Sequence, residues 1–228
     1  MKFYISNPVL DNQIEELLCK IRLSMNGLVS EQMTQRNIIY KQNYGVVIPR
    51  IREIAKQYPK NHDLAQRLWM LKIRETMILA TLLEPEEKFT IENAFKWLAD
   101  CEQIELVEQL CMNLFCRLTC SNELCVRLIK SDELWKQITG FMLVARIFQH
   151  INEEETKWIV LEAVKKSETV FFHLYKVIAL SLSRLSRKNK KTAAFIAKAI
   201  EPFLQSDVIG QQYIFREVKE EILFLNFL

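Results

Sequence analysis

At 228 residues, half of them hydrophobic (50%) and about a quarter charged (26%), the chain has globular composition and apolar residues enough for a substantial core, while its net charge of +3 is too mild to declare a nucleic-acid partner. Only four glycines occur, Gly27, Gly45, Gly140 and Gly210, and none is close to another, so no glycine-rich phosphate cradle, dinucleotide fingerprint or Gly-x-Ser-x-Gly elbow is built. The three histidines, His62, His150 and His173, are never spaced as a metal pair, and nucleotide hydrolases, nicotinamide dehydrogenases, α/β-hydrolases and zinc hydrolases leave the first rank.

Along the chain the pattern is helical almost throughout. The N-terminal stretch has no apolar signal core, and Pro8 and Asp11 interrupt it early, so a cytoplasmic protein is the expectation. Ile14, Leu17, Leu18, Ile21 and Met25 recur on one helical stripe. Pro49 suits the first turn of a helix carrying Ile51, Ile54 and Ala55. Asn61 is placed to cap a helix with Leu64, Leu68 and Trp69, and Thr90 another that starts at Ile91. Ser121 and Ser131, each followed by early acids, read as further capped starts. The apolar stretch from Gly140 to Phe148 is broken by Arg146 and is far too short for a membrane span. Glu153, Glu154 and Glu155 suit a helix N-terminus. Leu174, Val177, Ile178, Leu182 and Leu185 repeat the helical stripe near the other end. The apolar ending from Ile222 to Leu228 either docks on the last repeat or joins two subunits.

About a dozen such segments pair into helical hairpins, and helix pairs every ~40 residues have the spacing of HEAT-like repeats. Stacked pairs leave a concave surface where a ligand lies; an irregular helical bundle has the same periodicity. Trp69, Trp97, Trp135 and Trp158 fit apolar helix faces, so core packing is expected of them. The six cysteines include no Cys-x-x-Cys pair, and those from Cys101 to Cys125 alternate with Leu and Phe. They read as reduced thiols serving as small hydrophobes, with Cys116 and Cys120 on one helix face.

The cations are more informative. Arg184, Arg187, Lys188 and Lys191 lie at offsets 0, 3, 4 and 7, with Lys190 close by, and form one cationic helix face opposing the apolar stripe. Such a face suits a phosphate backbone, although cations are favoured at any helix C-terminus. Arg50, Arg52 and Lys56 form a weaker second cluster, and Lys41, Arg36 and Lys20 extend its rim.

Three stretches together resemble one family. They are Tyr44 through Lys56, with Gly45-Val46 and Pro49; Asn61-His62-Asp63-Leu64-Ala65 through Trp69, with Ile73-Arg74-Glu75-Thr76 after it; and Trp97 followed by the run from Glu108 to Phe115. Their order and spacing are similar to the bacterial HEAT-like-repeat alkylpurine DNA glycosylases, the AlkD-type DNA alkylation repair family, over roughly residues 10 to 200. The resemblance implies an all-α, right-handed superhelical solenoid, here one domain over residues 1–228, that grips duplex DNA, alkylated or distorted, in its concave face. It also implies a monomer without cofactor, metal or membrane attachment, cytoplasmic and on the nucleoid when bound to DNA. Active members of the family cleave the N-glycosidic bond of cationic N3- or N7-alkylated purines. A carboxylate then stabilises the sugar oxocarbenium ion or orients water, and aromatic faces favour the cation.

The family's Asp lies eleven residues after a structural Trp, and that position is Glu108; its neighbouring Trp falls on Ile104. A second Trp and an Arg fall on Leu180 and Ser183, and a further Arg on Gln137 or Ile138. Glu108 borders the stripe of Leu106, Val107, Leu110, Cys111 and Leu114, where a carboxylate is a catalytic candidate, the alternative being a glutamate paired with a base on a neighbouring helix. Glu102 and Glu105 are expected to face solvent. A carboxylate misplaced by ~1 Å costs about 10²-fold in rate, so the resemblance predicts weak or absent excision. DNA contact falls to Arg184, Arg187, Lys188, Lys190, Lys191, Arg50 and Arg52. The competing expectation is a non-enzymatic helical-repeat scaffold that binds a protein partner or structured DNA.

Overall fold

A computed structural model describes residues 7–226; residues 1–6 of the N-terminal stretch and Phe227 and Leu228 of the apolar ending lie outside them. The described residues form thirteen α-helices and no strand, and they divide between residues 114 and 115 into two compact units. None of these helices is long and apolar enough to cross a membrane.

The first unit holds α1 (Pro8–Leu23), α2 (Gly27–Gln35), α3 (Ile48–Ala55), α4 (His62–Met70), α5 (Arg74–Leu83), α6 (Ile91–Leu98) and α7 (Ile104–Asn113). Asn7 caps α1 and Pro8 opens it, so the chain enters the helix with fixed φ and one orphan N–H satisfied. Leu17 and Ile21 are fully buried, whereas Met25 is exposed. The expected stripe is one turn too long, because α1 stops at Leu23 and Ser24 caps it. Pro49 sits in the first turn of α3 and Ile51, Ile54 and Ala55 are its buried face. The Asn61 side chain accepts from the Leu64 N–H at 2.9 Å, and Thr90 accepts from the Asn93 N–H at 3.3 Å. Trp69 and Trp97 stack in the core with ring centroids 4.1 Å apart. His62 pairs with the buried carboxylate of Glu84 at the end of α5, which burial pushes above the ordinary carboxylate range.

The first two of the stretches that carried the resemblance meet in a buried polar clamp with Glu105 of α7. Glu75, fully buried, accepts from the backbone N–H of Tyr44 at 3.1 Å and of Val46 at 3.2 Å. Arg74, almost fully buried, donates to the Val46 carbonyl and to Glu75, each at 2.9 Å, and Nε donates to Glu105 at 2.8 Å. Tyr40 donates to Glu105 at 3.0 Å. Glu105 is therefore half-buried and held, not turned to solvent as the wheel suggested, whereas Glu102 is exposed. Gly45 lies in this segment at φ +69°, and an added Cβ would stand 2.1 Å from the Asn26 carbonyl oxygen. That carbonyl is pinned by the Ser30 N–H at 3.1 Å. Gly45→Ala is expected to lower stability by about 2 kcal/mol or more, read from the urea midpoint, from left-handed strain plus the clash.

The second unit holds α8 (Ser121–Lys130), α9 (Leu134–Ile147), α10 (Glu153–Lys165), α11 (Phe172–Ser186), α12 (Lys190–Ile200) and α13 (Ile209–Phe224). Helix α9 packs on α8 and α11, and α11 on α13. Ser121 is already helical, with Cys120 at the cap position and no side-chain capping hydrogen bond to the helix. Ser131 ends α8 instead of opening α9, its hydroxyl accepting from the Glu133 N–H. Cys116 lies in a short 3₁₀ turn before α8, so it shares no helix face with Cys120. Cys101, Cys111 and Cys125 are buried, and burial pushes the Cys101 and Cys125 thiols up. The three glutamates do open α10, where Asn152 and Glu155 form a reciprocal capping box. The full stripe from Leu174 to Leu185 is buried. Helix α13 buries Ile214, Val218 and Ile222, while Leu223 and Phe224 are exposed.

Candidate functional site

The supposed single cationic helix is two helices. Helix α11 ends at Ser186 with Arg187 as its C-cap, and Asn189 begins α12 by accepting from the Thr192 N–H at 2.8 Å. A Ser/Asn-type cap inside the run was the signal that sequence reasoning passed over. The cations consequently separate by environment rather than sharing one face. Arg187 forms a two-point pair with Glu221 of α13, Nε to Oε1 at 2.6 Å. Lys191 reaches Glu153 of α10 at 2.6 Å. Lys188 donates to the Ile151 carbonyl and sits 3.4 Å from Thr156 Oγ1; burial lowers its affinity for a proton. Lys188 thus ties the corner to the start of α10. Arg184 and Lys190 have no carboxylate partner among the described residues, and Lys190 is exposed. These two are the cations of the corner most available to a polyanion.

Helix α11 presents an outward stripe above that corner: Lys176 and Leu180 are exposed, and Ser183 and Arg184 half-exposed. The neighbouring Ser181 and Leu182 are fully buried. The two positions where the family carries its Trp and Arg, Leu180 and Ser183, therefore point outward, and the two intervening positions point inward. In α9, Gln137 is half-buried and donates to the Ser131 carbonyl at 2.8 Å, while Ile138 is core.

In the first unit Glu108 is exposed on α7, with Ile104 half-buried one turn before it and Cys111 buried. One turn after Glu108, Met112 places its sulfur 3.5 Å from the Arg52 guanidinium of α3. Residues four apart share a helix face, so the Glu108 carboxylate and the Arg52 cation border one surface of this unit. Arg50 turns the other way, donating to Ser24 Oγ at 3.1 Å and pairing with Glu53 at 2.9 Å, so the expected Arg50–Arg52 cluster is split. Lys20 is held by Glu16 and the Tyr58 hydroxyl, 2.8 and 2.9 Å away. Arg36 and Lys41 are exposed. Trp135 and Trp158 are only half-buried, and Lys130 lies 5.3 Å over the Trp158 ring. Among the described residues no group of His, Cys, Asp and Glu is arranged to hold a metal ion.

This arrangement offers a polyanion separate cations on outward helix faces and offers a reacting sugar one exposed carboxylate with no aromatic neighbour in the preceding turn. Comparison with known proteins shows the fold and the family. A solved structure described as a new family of proteins related to the HEAT-like repeat DNA glycosylases with affinity for branched DNA structures is similar over 92% of this chain and 95% of its own length, with TM-score 0.77 at 11% identity. That likeness shows the all-α, HEAT-like-repeat fold. A designed armadillo repeat protein gives TM-score 0.39 at 12% identity, over 76% of this chain and 92% of its own. No curated protein matches the chain in sequence. The model of the DNA alkylation repair enzyme family matches residues 30–205, and the chain belongs to that family.

Proposed function

We propose that this protein binds DNA, with preference for distorted or branched forms, and that it releases alkylated purines weakly or not at all. The observation that carries the reading is the surface register of α7 and α11. On these two helices the positions where the resemblance places the family's catalytic or DNA-facing side chains are outward or half-outward, and they carry Glu108, Ile104, Leu180 and Ser183. Such surface positions are free to change without cost to the core, so the fold survives while the chemistry is stripped down. A carboxylate open to water stabilises a developing cation far less than one in a water-excluded site. The related structure's affinity for branched DNA supports the same reading of the partner. The protein is proposed to act as a cytoplasmic monomer, nucleoid-associated when bound.

Fluorescence anisotropy with plain duplex, methylated duplex and three-way-junction DNA tests this. Tighter binding to the junction, with methylation making no difference, is expected. No binding to any of the three at low salt would favour the scaffold for a protein partner instead.

A further inference from the structure

We propose that the segment entering α11 is a stacking platform for an unpaired nucleobase at a DNA branch point, a proposal that rests on the DNA-binding reading above. The run Val170-Phe171-Phe172 is apolar and yet points to solvent, with the three residues 84%, 56% and 51% exposed. Such a run on the surface of a folded unit marks an interaction site. Its surroundings say which kind. Lys176 Nζ lies 4.5 Å from the Phe172 ring centroid and 6.0 Å from that of Tyr213, and the Arg216 guanidinium lies 5.3 Å from Tyr213. Aromatic faces alternating with cations are what a single-stranded nucleic acid requires, rings for the bases and cations for the phosphates.

The platform is already built. The Phe171 N–H donates to Thr169 Oγ1 at 3.2 Å, and buried Ser167 accepts from Gln211 at 2.9 Å. Gly210 of α13 lies so close that a Cβ there would meet the Thr169 carbonyl at 2.7 Å. A pre-ordered surface loses little freedom on binding. The acids nearby are Glu168, exposed three residues before Phe171, and Glu217, which pairs with Arg216 at 3.1 Å and leaves Lys176 as the cation offered to a phosphate. The same face of α11 continues through Lys176 to Arg184, two helical turns on, joining the rings to the cations assigned to the backbone of the DNA.

The test uses the full chain and a three-way junction carrying 2-aminopurine as the unpaired base at the branch, with a blunt duplex for comparison. Binding is expected to quench the 2-aminopurine fluorescence. The double variant Phe171→Ala, Phe172→Ala is expected to bind the junction about tenfold more weakly and to lose the quench, with duplex affinity within about twofold of the parent. Phe172→Trp is expected to keep both, and a thermal melt by circular dichroism checks that each variant is folded. Junction binding without quenching, or equal loss on junction and duplex, overturns the platform while leaving DNA binding in place. Loss of sedimentation with anionic phosphatidylserine vesicles, with junction affinity unchanged, overturns it in favour of a lipid surface. Absence of anisotropy change with either DNA overturns the reading beneath it as well.

Discussion

Arg74→Met is expected to lower stability by about 3–5 kcal/mol, the range for removing one partner of a buried ion pair. The side chain is 3% exposed and bridges three elements: the Val46 carbonyl before α3, Glu75 on α5 and Glu105 on α7. Without it, the fully buried Glu75 and the half-buried Glu105 remain as like charges with their shared cation gone. Burial pushes the Tyr40 phenol up, and Glu105 adds to that, so the tyrosine stays a donor but brings no compensating charge. The methionine fills much of the volume, which isolates the electrostatic loss from a cavity. As a control, Arg127→Ala removes an exposed pair with Glu123 and is expected to cost well under ~1 kcal/mol. Urea unfolding of the three proteins gives the comparison; an Arg74→Met cost as small as the control would mean that the cluster does not hold α3, α5 and α7 together. Because α3 carries Arg52 and α7 carries Glu108, loosening the clamp also displaces the first unit's outward charges.

The second large effect is on salt dependence. If Arg52, Lys176, Arg184 and Lys190 each meet a phosphate, log K is expected to fall with log salt at a slope of about −3.6, an affinity loss of about 10²-fold between 50 and 200 mM. Engagement of all seven cations singled out in the sequence would give a slope of about −6.3 and a loss approaching 10⁴-fold. The smaller value follows from the structure, since Arg50, Arg187 and Lys191 are paired with carboxylates and Lys188 with a carbonyl. Arg184→Ala combined with Lys190→Ala is expected to bring the slope to about −1.8. Lys188→Ala is expected to leave the slope unchanged and lower the melting temperature. A Lys188→Ala slope shallower by about 1 would instead place Lys188 on the DNA.

The all-helical architecture was legible because its signals are local: the stripes of α1 and α11, Pro49 in α3, and the Asn61 and Thr90 caps each depend on neighbours within a turn or two. What sequence periodicity did not carry were the contacts between helices. Nothing near Glu105 in the chain announces that Arg74 and Tyr40 will reach it, so an amphipathic wheel sent it to solvent. The cationic run failed for a different reason. Spacing alone places Arg184, Arg187, Lys188 and Lys191 on one face, but Asn189 competes with the helix by offering its own backbone-capping bond, and the chain turns there. Of the residues that carry the resemblance, Gly45, Val46, Arg74 and Glu75 build the clamp that positions the helices. Glu108 and Leu180 are exposed and Ile104 and Ser183 half-buried, where exchange disturbs packing less than in the core.

The proposed function separates DNA binding from base release. The direct measurement is to incubate the protein with a labelled duplex holding one 7-methylguanine, then follow complex formation by gel shift and abasic-site formation by alkaline cleavage of the same sample. A shifted complex is expected with no cleavage above that given by Glu108→Gln. Cleavage by the parent that disappears in Glu108→Gln would contradict the account and make Glu108 the carboxylate of a working glycosylase.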